Sequence, residues 1–364
     1  MDVMRKFLFV TFNNSQAYSG GSQCSKRNLQ TLQDILGTEQ IETYIIEPDK
    51  ENRQLAGTIK RAVGIMKGYL GGLTDKGLHE VLHMLTDGLF TDLFIDNSQL
   101  GMLAKYAKRH NPNIRIFTFF HNIEYDFFRS NVIHCKDYKH FFWIPLALKN
   151  EKMSCRYSDS IIVLNEKDAK RLQLLYGRKA DAIIPITMKD DYTTPSQVQS
   201  IVTKGKEALF VGSYFFGNTQ GLKWFCNDIL PHTDAHLTIV GSGMDAFVND
   251  ITVTSQITIH SNVPDLTPYY EAADFVVLPI TTGGGMKVKT AEALKYGKYI
   301  IGTCEALEGY NVNDSIATIC NCTNDFIQAI SRFVPGQKFV PAARNLFQEQ
   351  YSYQASLERF KNIL

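Results

Sequence analysis

Short apolar, β-branched runs alternate with helical patterns along almost the whole chain. In the first half the runs are "KFLFVTF", "IETYIIE", "DLFIDN", "IRIFTFFH", "SIIVLN" and "AIIPI". In the second they are "EALFVGSY", "HLTIVG", "QITIHSN", "DFVVLPI", "YIIGT" and "SIATIC". Continuous apolar strands interleaved with helices predict βα units and parallel sheets covered on both faces. The series runs twice, so the pattern predicts an α/β protein of two Rossmann-like, doubly wound domains facing each other across a cleft.

The polar stretch "MKDDYTTPSQVQSIVTKGKE" separates the two series and has no sustained apolar period. It is the natural linker. The expected organisation is an N-terminal domain over 1–187, the linker over 188–207, and a C-terminal domain over 208–345. A C-terminal segment over 346–364 is expected to pack back on the N-terminal domain. Within "VPAARNLFQEQYSYQASLERFKNIL" the pattern predicts a helix, a break near Tyr351 to Tyr353, and a second amphipathic helix. Ile59, Val63, Met66 and Leu70 recur at helical spacing, with Lys60, Arg61 and Lys67 off that series. This reads either as an ordinary amphipathic helix covering the first sheet or as a basic helix near a lipid-linked acceptor.

Composition adds bounds. A chain of 364 residues, 44% of them hydrophobic, is long enough to bury two cores. A net charge of +1 supplies no global field for nucleic acid or an anionic membrane. The apolar run after Arg5 and Lys6 is too short for a signal peptide and reads as a first strand. No stretch reaches the roughly 18 apolar residues of a membrane span. Seven scattered cysteines suit a reduced, cytoplasmic setting.

The chemistry concentrates in "LPITTGGGMKVKTAEALKYGK", where glycines join a strand to a helix closed by Gly297. The carboxyl end of a parallel strand is where open α/β sheets bind ligands. Free N–H groups at a helix start attract anions, glycines admit phosphate oxygens, and Lys287 and Lys289 add charge-assisted donors. No G-x-x-x-x-G-K-[ST] loop is present, so this is not a P-loop. Glu292 shares a helix face with Lys289 and is placed to accept from a ribose diol. The bland alternative is a glycine turn with solvated lysines. After the first strand, Gly20 and Gly21 open a helix where small residues and free amides again suit phosphate, although a glycine pair also serves any tight turn. His121 and Asn122 end the strand "FTFFHN" and Glu124 follows; a histidine there is equally readable as a satisfied structural group. "VGSGMDA" matches G-x-G-x-x-A at Gly241, Gly243 and Ala246, which raises a nicotinamide oxidoreductase as a remote rival. The following strand lacks the acidic residue that would hold an adenosine ribose.

"ADFVVLPITTGGGMKVKTAEALKYGKYIIGT" resembles the donor-binding segment of GT-B glycosyltransferases, especially glycosyltransferase family 4. "LFVGSYFFGNTQGLKWF", "LTIVGSG", "IHSNVPDLTPYYEAADFVVLP" and "RYSDSIIVLNEKDAKRLQLLYG" extend the resemblance over nearly the whole chain. The resemblance implies donor contacts from Gly20, Gly21, Ser213, Asn262, Val263, Gly283, Gly284, Gly285, Met286, Lys287, Lys289 and Glu292. It implies His121 beside the donor sugar, Lys287 or Lys289 at the diphosphate, and Asn122 and Glu124 toward the acceptor. The family's E-x7-E pair places its second Glu at Glu292. Its first falls on Gly284, a departure that leaves the donor sugar open.

The implied reaction is transfer of a sugar, with retention, from a nucleotide-diphosphate sugar to a saccharide or lipid-linked acceptor. UDP and GDP sugars are the first donors to consider, and surface polysaccharide or other glycan synthesis is the expected setting. No D-x-D pair occurs in the sequence. Metal-independent catalysis without a cofactor is therefore expected, as is peripheral membrane contact through 59–70. Two further alternatives share the ligand: a sugar-nucleotide 2-epimerase and a catalytically inactive sugar-nucleotide sensor.

Overall fold

The computed structural model describes residues 5–12, 20–46, 62–134, 138–193, 206–282 and 284–364. The chain divides into two compact units, Met1–Pro185 with Ser356–Leu364, and Ile186–Ala355. The second boundary falls inside the last helix.

The first unit contains β1 (Phe7–Thr11), α1 (Gly20–Leu36), β2 (Ile41–Ile45), α2 (62–67), α3 (Asp75–Asp87), β3 (Asp92–Ile95) and α4 (Gly101–His110). It continues with β4 (Arg115–Phe120), α5 (Glu124–His134), α6 (Trp143–Tyr157), β5 (Ser160–Val163), α7 (Glu166–Tyr176) and β6 (Ala182–Ile183). Its strands form one sheet, ordered β2-β1-β3-β4-β5-β6, with every pair parallel. All five residues of β1 and all four of β3 are buried. Burial on both faces explains why these strands read as continuous apolar runs.

The second unit contains β7 (Lys206–Val211), α8 (Phe216–Trp224), β8 (Ala235–Gly241), β9 (Ile257–Ser261), α9 (Thr267–Ala272) and β10 (Phe275–Leu278). It continues with α10 (Val288–Lys295), β11 (Tyr299–Gly302), β12 (Ala317–Ile319), α11 (Thr323–Arg332) and α12 (Pro341–Leu346), and ends within α13 (Tyr353–Ile363). Its sheet, also parallel, is ordered β12-β11-β10-β7-β8-β9. Each of the twelve apolar runs is a strand.

Both sheets reverse direction of growth once. In the first unit β1 lies between β2 and β3; in the second β7 lies between β8 and β10. Ligands in open α/β sheets bind beyond the strand carboxyl ends at such a reversal. This points to the loops after β1 and β3 in one unit and after β7 and β10 in the other.

The stripe at 59–70 departs from its pattern. Helix α2 stops at Lys67, and the chain turns at Gly68 with φ +89°. Met66 is 83% exposed and Val63 40%, whereas Tyr69 and Leu70 beyond the turn are buried. Helical spacing is present, but the apolar face covers no sheet. Ile59, Lys60 and Arg61 lie outside the described residues. At the other end, α12 runs through a π-helical stretch, Phe347–Tyr351, before the break and α13. Phe360 of α13 is fully buried, its ring centroid 6.2 Å from that of Phe94 in β3.

Candidate active site

At the reversal in the second unit, two loops are tied together. Lys289, in the first turn of α10, donates to Asn218 Oδ1 of α8, and its ammonium lies 5.5 Å from the Phe210 ring centroid. Burial and the neighbouring Lys287 push the Lys289 pKa down to about 8, while Glu292 opposes the shift. No side chain caps the amino end of α10, whose N-cap residue is Lys287. Its first amides and the positive end of the helix dipole suit an anion. Lys287 Nζ is 2.8 Å from Glu305 Oε1 and donates to the Gly285 carbonyl at 2.7 Å. Gly285 has φ +67°, a conformation that favours glycine, and directs the chain into the buried Met286. Gly284 is exposed. Gly283 lies outside the described residues.

One turn into α10, Glu292 accepts from the Tyr270 hydroxyl at 3.1 Å. Burial raises the Glu292 pKa, opposed by Lys295 and the Tyr270 hydrogen bond. Tyr270 in turn stacks on Tyr296 at 4.2 Å, which makes the platform under Glu292 aromatic. Gly297, φ +62°, closes α10 by donating to Leu294 O.

Ser213 is exposed after β7, and its carbonyl accepts from Asn218 Nδ2 at 2.9 Å. The side chain bound to Lys289 thus also fixes the β7 loop. Asn262, with φ +56°, follows β9 and accepts from the Gly243 amide through Oδ1 at 3.2 Å; Val263 is half-buried beside it. Gly241 has a packing reason of its own, since a Cβ there would lie 1.9 Å from the Gly212 carbonyl oxygen. Gly243 leads into a 3-10 helix, Met244–Asn249, rather than an α-helix. The G-x-G-x-x-A match therefore lacks the strand–turn–α-helix setting that a dinucleotide site needs.

In the first unit, Gly20 and Gly21 are the first residues of α1. His121 follows β4 and is buried, with Nε2 2.7 Å from the Asp96 carbonyl oxygen and 3.4 Å from Asp96 Oδ1. Burial lowers the imidazole pKa, but Cys24 and Asp96 raise it well above the usual value. Asn122 is half-buried and hydrogen-bonds the Glu124 side chain, as does Gln99. Glu124 is 3% exposed, and burial raises its pKa. Its amide donates to Glu151 Oε1 at 2.7 Å, so the start of α5 is already capped.

The structure thus gathers Ser213, Gly285, Lys287, Lys289 and Glu292 at one sheet reversal, and His121, Asn122 and Glu124 at the other unit's strand ends. Sequence reasoning missed Asn218, Tyr270 and Glu305, the partners of Lys289, Glu292 and Lys287. Glu305 follows β11, and the strand-end rule applied to that strand would have found it. Among the described residues, no group of three or more His, Cys, Asp or Glu side chains is placed to hold a metal.

Two parallel six-stranded sheets with helices on both faces, in this order, define the GT-B architecture of glycosyltransferases. More specifically, residues 205–334, within the second unit, match the family described as glycosyl transferases group 1. Sucrose-phosphate synthase from Thermosynechococcus elongatus has a similar structure, with a TM-score of 0.70 and 14% identity, covering 99% of this chain and 98% of that one. The lipopolysaccharide outer core galactosyltransferase WaaB in its apo form gives 0.69 at 14% identity, with 98% of each chain covered. The Anabaena HepE protein in complex with UDP gives 0.65 at 10% identity, with 99% of each covered. A Klebsiella pneumoniae sequence, an uncharacterized 44.6 kDa protein in the cps region, is 22% identical over 251 residues. These are 64% of this chain and 59% of that protein's length.

Proposed function

We infer that the protein transfers a sugar from a nucleotide-diphosphate sugar, with retention and without a metal, to a saccharide or lipid-linked acceptor in surface polysaccharide or glycan synthesis. The observation that carries this reading is the cradle at the β7/β10 reversal. There an uncapped helix start, two lysines and a carboxylate one turn deeper match a diphosphate and a ribose in order. The leaving diphosphate gains negative charge as the glycosidic bond breaks, and fixed donors aimed at it stabilise that charge, at several kcal/mol for a well-placed group. Glu292 accepts from ribose hydroxyls in place of solvent. His121 orients the sugar, with Gly20 and Gly21 offering amides to the diphosphate.

The likeness to HepE structures with UDP and with UDP-glucose makes uridine nucleotides the first to test. The absence of any D-x-D pair in the sequence supports metal independence. Among the described residues no helix is long and apolar enough to cross a membrane; the reading has the protein work in the cytoplasm, with peripheral contact near residues 59–70. Calorimetric titration with UDP, GDP and their monophosphates in excess EDTA is the direct test. Lys287→Ala with Lys289→Ala should weaken diphosphate binding at least tenfold and monophosphate binding less, whereas Arg332→Ala, at the exposed end of α11, should change neither. Equal affinities across these variants would remove the phosphate assignment.

A further inference from the structure

A polar cluster lies buried beyond the carboxyl ends of β1, β3 and β4. Asp96 and Asn28 are fully buried, and Cys24, Arg27 and His121 are 6%, 8% and 6% exposed. Asp96 is held from three sides: Asn28 Nδ2 donates to Oδ1 at 2.8 Å, Thr11 Oγ1 to Oδ2 at 3.1 Å, and His121 Nε2 sits 2.7 Å from its carbonyl oxygen. A carbonyl only accepts, so Nε2 carries a hydrogen, and the charge of the ring depends on its other nitrogen. Arg27 spans the cluster, donating to Asn28 Oδ1 at 2.7 Å, to the Pro185 carbonyl at 2.8 Å, and to Cys24 Sγ at 3.1 Å. A guanidinium only donates, and so short an N–H to sulfur contact suits a charged acceptor.

Cys24 lies just past the first turn of α1. Cys24 and His121 also act on each other, each favouring the charged form of the other. Burial alone would raise the thiol pKa, yet Arg27 and His121 together bring it below its usual value. The charged groups around the pair are Arg27 on α1, Asp96 after β3, and Glu124 at the start of α5.

We propose that Cys24 is a positioning residue: its thiolate, clamped by Arg27, pairs with a His121 imidazolium and fixes the charge and orientation in which His121 meets the donor sugar. In forming the pair the S–H bond breaks, the second imidazole nitrogen gains an N–H bond, and net charge is unchanged. Thiolate with Arg27 and imidazolium with Asp96 make two compensated pairs, which is how buried charges are tolerated. The role of His121 toward a sugar rests on the proposed transferase reading; the ion pair itself does not.

The test therefore has one arm without activity and one with it. In the first, the thiolate absorbance near 240 nm of wild type minus Cys24→Ser is followed across pH alongside NMR of labelled histidines, His121 being assigned by His121→Asn. The expected results are a thiolate difference at neutral pH and a His121 titration that falls by at least about one pH unit in Cys24→Ser, as expected on losing a close opposite charge. No thiolate difference, or a His121 titration unmoved by the substitution, overturns the proposal. Arg27→Lys, which keeps the charge, is the second variant should Cys24→Ser fail to fold, and should retain the thiolate signal that Arg27→Gln loses. In the second arm, the alkaline limb of kcat/KM should shift downward with His121 in Cys24→Ser. An ion pair confirmed spectroscopically with no change in that limb leaves the pair standing and removes its link to transfer.

Discussion

At the scale of single residues, Lys289 has the sharpest consequence. Its ammonium is pressed by burial and by Lys287 toward a pKa of about 8, so it loses its charge within an accessible range. The folded state then holds fewer protons than the unfolded state between about pH 8 and 10.5, and this group's contribution to stability rises with pH across that window. Ligand binding should run the other way. A diphosphate favours the ammonium, so nucleoside-diphosphate affinity in wild type should fall about tenfold or more as pH rises through 8, a charge-assisted hydrogen bond being worth about 1.5–3 kcal/mol. Lys289→Arg should hold its affinity at alkaline pH, and Lys289→Met should bind weakly with a flat profile; calorimetry across pH decides it. A flat wild-type profile would mean that Lys289 does not meet the anion. The lysines were legible from sequence because they follow a glycine run at a strand end. Their partners were not, since Asn218 reaches Lys289 from 71 residues away and Tyr270 reaches Glu292 from 22, distances that only the folded topology closes.

At the scale of elements, central strands such as β1, β3 and β10 were legible because burial on both faces writes itself into sequence as uninterrupted apolar runs. Helix α2 shows the limit of periodicity, which reports spacing and not whether a partner surface exists. Helix caps were also hidden, because some are built from distant groups. The start of α5 is capped by Glu151 on α6, which accepts from the amides of Glu124 at 2.7 Å and Tyr125 at 3.2 Å and from the Tyr176 hydroxyl at 2.6 Å. Burial pushes Glu151 up to about 8, assisted by the charge of Glu124 and opposed by those three donors. The folded state holds more protons than the unfolded state between about 4.5 and 8, so this contribution is full below the unfolded pKa and is lost as pH rises through about 8. Glu151→Gln cannot ionise and cannot accept both amides through its NH2 end. It should cost about 1–3 kcal/mol near pH 5 and less by pH 8.5, measured by urea unfolding. A variant that keeps the wild-type slope between those two pH values would show that Glu151 does not set it.

At the scale of the molecule, the chain returns to its first unit after completing its second, and one buried aromatic anchors the return. Phe360 packs against Phe94 of β3, and the guanidinium of Arg5 donates to the carbonyl of Leu364. Ser213, Gly285, Lys287, Lys289 and Glu292, by contrast, all lie in Ile186–Ala355, so the first unit's proposed share of the diphosphate is limited to the amides of Gly20 and Gly21. Stability and donor binding should therefore be separable. Phe360→Ala should cost the first unit about 3–5 kcal/mol, the usual range for emptying a buried phenylalanine site. UDP at a hundred times its dissociation constant should add about 2.7 kcal/mol to the unit that binds it. In differential scanning calorimetry, Phe360→Ala should lower the transition that UDP leaves in place, and UDP should raise the other in wild type and variant alike, with its affinity unchanged within about twofold. If Phe360→Ala abolishes UDP binding, or if UDP raises a single shared transition, the two units do not carry these tasks separately, and the first unit's Gly20 and Gly21 then carry a large share of the diphosphate affinity.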